Sequence, residues 1–265
     1  MKAIKDVVAI TPVWNEPLGM IQGFLESVEQ VKKKLVGQGI AFRHFFLNDC
    51  ALNLLGGYPT LVEHNDNKGL ALTLIDGYQA VIDFNPQPDL IVRLDCQEHN
   101  PAMISDIVDI FSHSQAQAVF LPVWYWVEGQ NRPAMKNIAA MMVEFTKALS
   151  PIRKEVVYET FNQKFPLGYQ AFRFEALQAI FPELERGIKI FKERTGKPAT
   201  WGLDLLTILI AAHHYPKAID FIFGGWSNPW LQNRSHDKIE AQKQKAKMMI
   251  EVAGDLGIPI IEEQD

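Results

Sequence analysis

Cysteine is nearly absent. Cys50 and Cys96 are the only two in 265 residues. Two are too few for a disulfide framework or a cysteine-rich zinc site, which leaves reduced thiols of the kind a cytoplasmic protein carries. Long apolar runs are missing as well. The first such run, at Val7–Ile10, is soon interrupted by Pro12 and Asn15, so it reads as neither a signal peptide nor a membrane span. No later stretch reaches the roughly 18 uninterrupted apolar residues a spanning helix needs, and a soluble chain is expected. Basic excess is lacking too: 26 Lys and Arg face 31 Asp and Glu, a net charge of -5. That balance argues against a general nucleic-acid binder. No internal repeat, low-complexity tract or linker divides the chain.

What is present suits one large α/β domain, with 48% hydrophobic and 22% charged residues. Short apolar runs at Val7–Ile10, Ala41–Leu47, Thr60–Glu63, Leu90–Leu94 and Ala118–Trp124 read as strands. Between them, apolar residues at Ile21, Phe24, Leu25, Val28, Val31 and Leu35 mark a helical face, and a second helix is expected over Gly69–Ile82. Pro101 opens another, at a position where its missing N–H costs nothing. This alternation predicts a mostly parallel sheet flanked by helices. Past Gln130 the pattern loosens. Helices are expected at Ala134–Leu149, Glu175–Ile180, Glu183–Arg194, Leu203–His213 and Asp237–Ala253, with short strands at Leu167–Phe172 and Ala218–Phe223.

Ligands of open α/β sheets bind at the carboxyl ends of parallel strands. Four such ends carry polar groups here: Asn15 and Glu16, then Asp49, then Asn65 to Lys68, then Asp95. Turns favour Asn and Asp anyway, but four in register with the binding edge point to a site.

The segments Ala9-Ile10-Thr11-Pro12-Val13-Trp14-Asn15-Glu16, Phe46-Leu47-Asn48-Asp49, Asn67-Lys68-Gly69-Leu70-Ala71 and Leu94-Asp95, with Pro101 after it, resemble the family 2 glycosyltransferases. They stand in that family's order over about the first 105 residues. Gly202-Leu203-Asp204, preceded by Trp201, resembles its acceptor-side motif. The resemblance implies a single GT-A-like domain, with a nucleotide-sugar-binding half over about 1–130 and an acceptor-side half over about 131–265. It implies that Thr11, Pro12, Asn15 and Glu16 lie along the nucleotide. Asp49 would then accept a hydrogen bond from the base, and Lys68 on the Gly69 loop would face the nucleotide or its phosphates. Asp95 would be the first carboxylate of a metal-binding Asp-x-Asp motif, and Asp204 the base that deprotonates the acceptor hydroxyl.

The metal expectation has a chemical basis. A nucleoside-diphosphate leaving group gains negative charge as the glycosidic bond breaks, and Mn²⁺ or Mg²⁺ held by oxygen ligands offsets it. The chain departs from the motif at Gln97, whose neutral amide oxygen is a poorer ligand than a second aspartate. Glu98 or His99 can take over, the substrate's own oxygens can complete the site, or the enzyme can be metal-independent. Later in the chain, Arg234 and Lys238 suit phosphate recognition. His236 between them is a further candidate ligand, and Trp201 beside Asp204 is the candidate sugar-stacking face.

The activity expected is transfer of a sugar, with inversion, from a nucleotide-diphosphate-sugar to an acceptor hydroxyl. The alternatives are a non-catalytic or metal-independent nucleotide-sugar-binding protein and a sugar nucleotidyltransferase. Nucleotidyltransferases need a glycine-rich, cationic loop after the first strand, and Thr11-Pro12-Val13-Trp14-Asn15-Glu16 has neither glycine nor cation. Without membrane spans, a synthase that threads its polymer through a membrane is not expected. A metabolite, a protein or a lipid-linked glycan reached from a membrane surface remain possible acceptors.

Overall fold

A computed structural model describes residues 3–51, 57–96, 100–121, 135–162, 169–200, 202–222 and 236–262. Strand β1 (Asp6–Val13) is buried along its length apart from Asp6, as a central parallel strand covered on both faces must be. Helix α1 (Leu18–Gly37) buries Ile21, Phe24, Val28, Val31 and Leu35, alternating three- and four-residue steps that make one stripe. β2 (Ala41–Asp49), β3 (Thr60–His64), α2 (Leu70–Ile82) and β4 (Leu90–Arg93) follow. β2 and β4 both run parallel to β1, on its two sides, and β3 runs parallel to β2.

Next come α3 (Met103–His113), β5 (Ala118–Leu121), α4 (Met135–Ala148), β6 (Ile152–Arg153), α5 (Lys154–Asn162), β7 (Tyr169–Arg173) and α6 (Phe174–Thr195). The chain continues through α7 (Leu203–His214), β8 (Ile219–Phe221), α8 (His236–Asp255) and β9 (Ile260–Ile261). The main sheet has the order β3-β2-β1-β4-β7-β5-β8, and β6 pairs with β9 apart from it. β7 enters antiparallel between β4 and β5, so strands from both halves of the chain share one sheet.

Alternation along each strand sorts the core into two layers. Val8 and Ile10 face a cluster built with α2, α4, α6, α7 and α8. Val7 and Ala9 face the other, built with α1 and α3. No helix among the described residues is long and apolar enough to cross a membrane.

One expectation is corrected. The two helices expected on either side of Pro182 are one, α6, running unbroken through it. Proline deletes one backbone hydrogen bond, but Leu177, Ile180, Phe181, Leu184, Ile188 and Phe191 remain on a single buried stripe that holds both sides in line. Between Leu149 and β7, where no helix was expected, stands α5, whose Val157 and Thr160 are buried. In the sheet, β7 stands between β4 and β5.

Candidate functional site

Strand order reverses direction at β1, whose neighbours β2 and β4 are reached by crossovers on opposite sides; such a switch point opens a crevice at the carboxyl edge. A cleft of about 360 Å³ lies there. Pro12, Val13 and Trp14 bring the end of β1 to it, and Glu16 the loop beyond. Asp49 comes from the end of β2, Asp95 from the end of β4, and Asn67, Gly69, Leu70 and Thr73 from the start of α2. Thr200, ahead of α7, closes the far wall. Trp14 is 56% exposed, a large apolar face left open to solvent beside the cleft.

Each wall is held by a local clamp. Glu16 folds back so that its Oε2 accepts the Trp14 N–H at 2.7 Å, fixing the first loop. The buried Asp49 carboxylate accepts the Lys68 N–H on Oδ1 at 2.8 Å and the Gly69 N–H on Oδ2 at 2.9 Å. His64 stands behind it, with Nδ1 3.1 Å from Asp49 Oδ1 and Nε2 3.0 Å from Asp76 Oδ2. Gly69 has φ +87°, and a Cβ there would lie 3.0 Å from the Thr200 Cα. Only glycine lets the two walls approach so closely.

Below Asp95 lies a buried polar layer. Arg93, at 0% side-chain exposure, donates from Nη2 to Asp95 Oδ1 at 2.8 Å and Oδ2 at 3.0 Å, and from Nη1 to Asp204 Oδ1 at 2.5 Å. Gln170 Nε2 donates to the Asp204 carbonyl at 3.2 Å, and the Tyr78 hydroxyl donates to Gln170 Oε1 at 3.4 Å. Burial, above all, pushes the Tyr78 hydroxyl up; the Arg93 charge opposes this, and those of Asp204 and Asp95 reinforce it. Burial likewise pushes the Cys96 thiol up to about 12, with the Glu16 and Asp95 carboxylates adding to the shift. Cys96 is therefore a protonated thiol beneath the acidic wall.

Of the residues singled out in the sequence, Pro12, Glu16, Asp49, Gly69 and Asp95 line the cleft. Thr11 is buried, its hydroxyl 3.0 Å from His44 Nε2, and Asn15 is exposed. Lys68 contributes its backbone N–H, while its ammonium sits 3.7 Å from Asp76 Oδ2. Any bond from a base to Asp49 would have to share oxygens already turned to the chain's own donors. Asp204 is not part of the lining; its side chain is 6% exposed and faces Arg93. Gln97, Glu98, His99, Trp201 and Arg234 lie outside the described residues, as do the side chains of His236 and Lys238. Trp14, His64, Thr73, Arg93 and Thr200 were not singled out. An arginine ending the apolar run Leu90-Ile91-Val92 was the available signal, since a cation in a buried strand needs a counter-ion.

The described lining holds the carboxylates Glu16, Asp49 and Asp95 and no lysine, arginine or histidine. This donor set fits a hard divalent cation in type and charge. Among the described residues, however, no group of three or more His, Cys, Asp or Glu side chains is gathered as a metal cage. Ligand oxygens would have to complete the coordination, as they commonly do for Mg²⁺ on one or two carboxylates.

No family model matches the chain, and no curated protein matches it in sequence. Solved structures do match. Mannosyl-3-phosphoglycerate synthase from Rubrobacter xylanophilus superposes with a TM-score of 0.54 at 12% identity, over 93% of this chain and 73% of that one. The fold is GT-A-like. S. aureus TarS, residues 1–349, gives 0.49 at 11% identity over 83% of this chain and 60% of that one. The 4-diphosphocytidyl-2C-methyl-D-erythritol synthase of Anaerococcus prevotii gives 0.46 at 12% identity over 91% and 97%.

Proposed function

We propose that the chain transfers a sugar from a nucleotide-diphosphate-sugar to an acceptor hydroxyl, with inversion, and that the cleft between Trp14 and Thr200 is the donor site. One observation carries this reading: the ends of three parallel strands deliver Glu16, Asp49 and Asp95 to a single cleft at the switch point of a GT-A-like sheet. The first structural neighbour is named a mannosyl-3-phosphoglycerate synthase, and this reading is consistent with that name.

In this proposal the open ring of Trp14 stacks against the base. Asp49 acts through the loop it clamps, shaping the wall that Gly69 offers to the ribose and phosphates. Asp95 and Glu16 accept hydrogen bonds from sugar hydroxyls. Asp95, with Gln97 or His236, would also hold a Mn²⁺ or Mg²⁺. Such a cation, when bound, offsets charge on the departing diphosphate. Arg93 keeps the Asp95 carboxylate oriented from below and tempers its charge. Asp204 anchors Arg93; the base role implied for it would require its carboxylate to reach the acceptor.

That anchoring also favours a second reading, a non-catalytic nucleotide-sugar-binding protein. The two are separated by a thermal-shift screen against nucleotide-sugars with and without Mn²⁺, followed by hydrolysis and transfer assays on the wild type and Asp95→Ala. Ligand-specific stabilisation with turnover lost in Asp95→Ala supports the transferase. Binding without turnover favours the binder, and no response to any nucleotide-sugar overturns both.

A further inference from the structure

The cleft presents an electrostatic problem. A ligand carrying phosphate enters a wall of three carboxylates, and the described lining offers it no cation. One cation does reach that wall from behind. Lys245, on α8, donates from Nζ to Thr200 Oγ1 at 3.0 Å. Thr200 lines the cleft and packs against Gly69, so this ammonium lies one hydroxyl away from the lining.

Its surroundings set it apart from a solvated surface lysine. Among the described residues Lys245 has a neutral hydroxyl, and no carboxylate, as its partner. On the same helix Lys247 lies over the Tyr158 ring, 4.6 Å from its centroid. On α6, Arg194 is held by Asp255 and Glu251 of α8. Partial burial lowers the Lys245 ammonium below the ordinary lysine range. An ammonium stripped of some water and meeting no counter-ion among the described residues is less stable than a paired one, and a phosphate oxygen would partner it.

We propose that Lys245 is an anion-binding residue of the cleft, its ammonium steered by the Thr200 hydroxyl onto a phosphate of the bound ligand. This deepens the donor-site reading and rests on it for the ligand's nucleotide part; the anion contact itself is testable alone. The phosphate belongs either to the donor's diphosphate or to an anionic acceptor.

Calorimetric titrations of the wild type, Lys245→Met, Lys245→Arg and Thr200→Val test it, with Lys189→Met on α6 as a charge-loss control. The probes are inorganic pyrophosphate and a matched nucleoside and nucleoside diphosphate, each with Mn²⁺ held constant. Lys245→Met is expected to weaken nucleoside diphosphate about tenfold, the size of one charge-assisted hydrogen bond, and to leave the nucleoside unchanged. Lys245→Arg should recover most of the loss, Thr200→Val should weaken binding a few-fold, and Lys189→Met should match the wild type. Pyrophosphate weakened with the nucleoside diphosphate unchanged assigns the contact to an anionic acceptor.

Equal losses for nucleoside and nucleoside diphosphate would mean a merely structural lysine and overturn the proposal. So would unaltered binding of both phosphate probes. If the wild type takes pyrophosphate through Lys245 but no nucleotide, the donor-site reading fails and the anion role stands. If it takes neither, both fall.

Discussion

Arg93 Nη1 donates to Asp204 Oδ1 across 111 residues of chain, while Nη2 of the same guanidinium grips both oxygens of Asp95. The end of a sheet strand and the first turn of α7 are thereby tied into one charged unit below the cleft. Removing the cation leaves Asp204, whose side chain is 6% exposed, as an uncompensated buried charge. Arg93→Met should therefore cost about 3–5 kcal/mol in urea unfolding. Asp204→Asn should lose stability as well as any activity, and the double variant Arg93→Met/Asp204→Leu should be less damaged than the sum of the singles. An Asp204→Asn protein with wild-type stability and no turnover would instead mark Asp204 as a base unconnected to the scaffold.

The Gly69 wall yields a second prediction. Its φ of +87° and ψ of 152° fall in a region open essentially to glycine, and a Cβ would lie 3.0 Å from backbone of Thr200. Gly69→Ala should lose about 3 kcal/mol from strain and crowding together, a Tm fall of roughly 6 °C or more for a chain of this size. Gly57→Ala is the comparison, since Gly57 shares a φ of +87° but has open space around it. It should show only the strain, and an equal Tm fall in both would mean that the Gly69–Thr200 approach contributes nothing. Any nucleotide-induced stabilisation should vanish in Gly69→Ala and persist in Gly57→Ala.

Much of this frame was legible in the sequence because it is written in local periods. Continuous apolar runs marked β1 and β4, and the three-and-four spacing from Ile21 to Leu35 marked α1. Asp49, Gly69 and Asp95 were legible as strand-end and loop chemistry. What was hidden depends on distant contacts. Nothing local says that β7 slots antiparallel beside β4, or that Asp49 spends its oxygens on the Lys68 and Gly69 amides. Thr200 meets Gly69 only once α7 has packed, and Lys245 meets Thr200 only through α8. Pro182 misled for the opposite reason: a local breaker is overruled by a stripe of buried side chains on both sides of it.

His64 gives a third prediction. Its two ring nitrogens contact Asp49 Oδ1 and Asp76 Oδ2, and the Thr73 hydroxyl lies 3.4 Å from Nδ1. It steadies Asp49, which in turn holds the Lys68 and Gly69 amides. His64→Leu should cost about 1–3 kcal/mol from buried polar groups losing a partner. More specifically, native-state hydrogen exchange at Lys68 and Gly69 should quicken while exchange in β1 changes only with global stability. His64→Gln, which keeps one polar contact, should fall between. Unchanged protection of these two amides in His64→Leu would show that Asp49 needs no support.

The pH dependence of folding should carry the signature of His44. Its ring lies between Phe24 and Phe46, with centroids 5.7 and 4.9 Å away, and its Nε2 is 3.0 Å from Thr11 Oγ1. Burial lowers its pKa from 6.5 to about 3. Between those values the unfolded chain binds a proton that the folded chain excludes, so stability falls as pH drops through that window and is restored above about 6.5. Since part of the side chain still meets solvent, the full shift overstates the effect; a loss of about 2 kcal/mol between pH 7 and pH 4.5 is the expected size. His44→Gln keeps a polar partner for Thr11 but cannot titrate. Urea unfolding at both pH values should show the wild type losing about 2 kcal/mol more than His44→Gln, the carboxylate contributions being common to both proteins. Equal losses in the two proteins would mean that His44 is protonated as readily in the folded state as in the unfolded one.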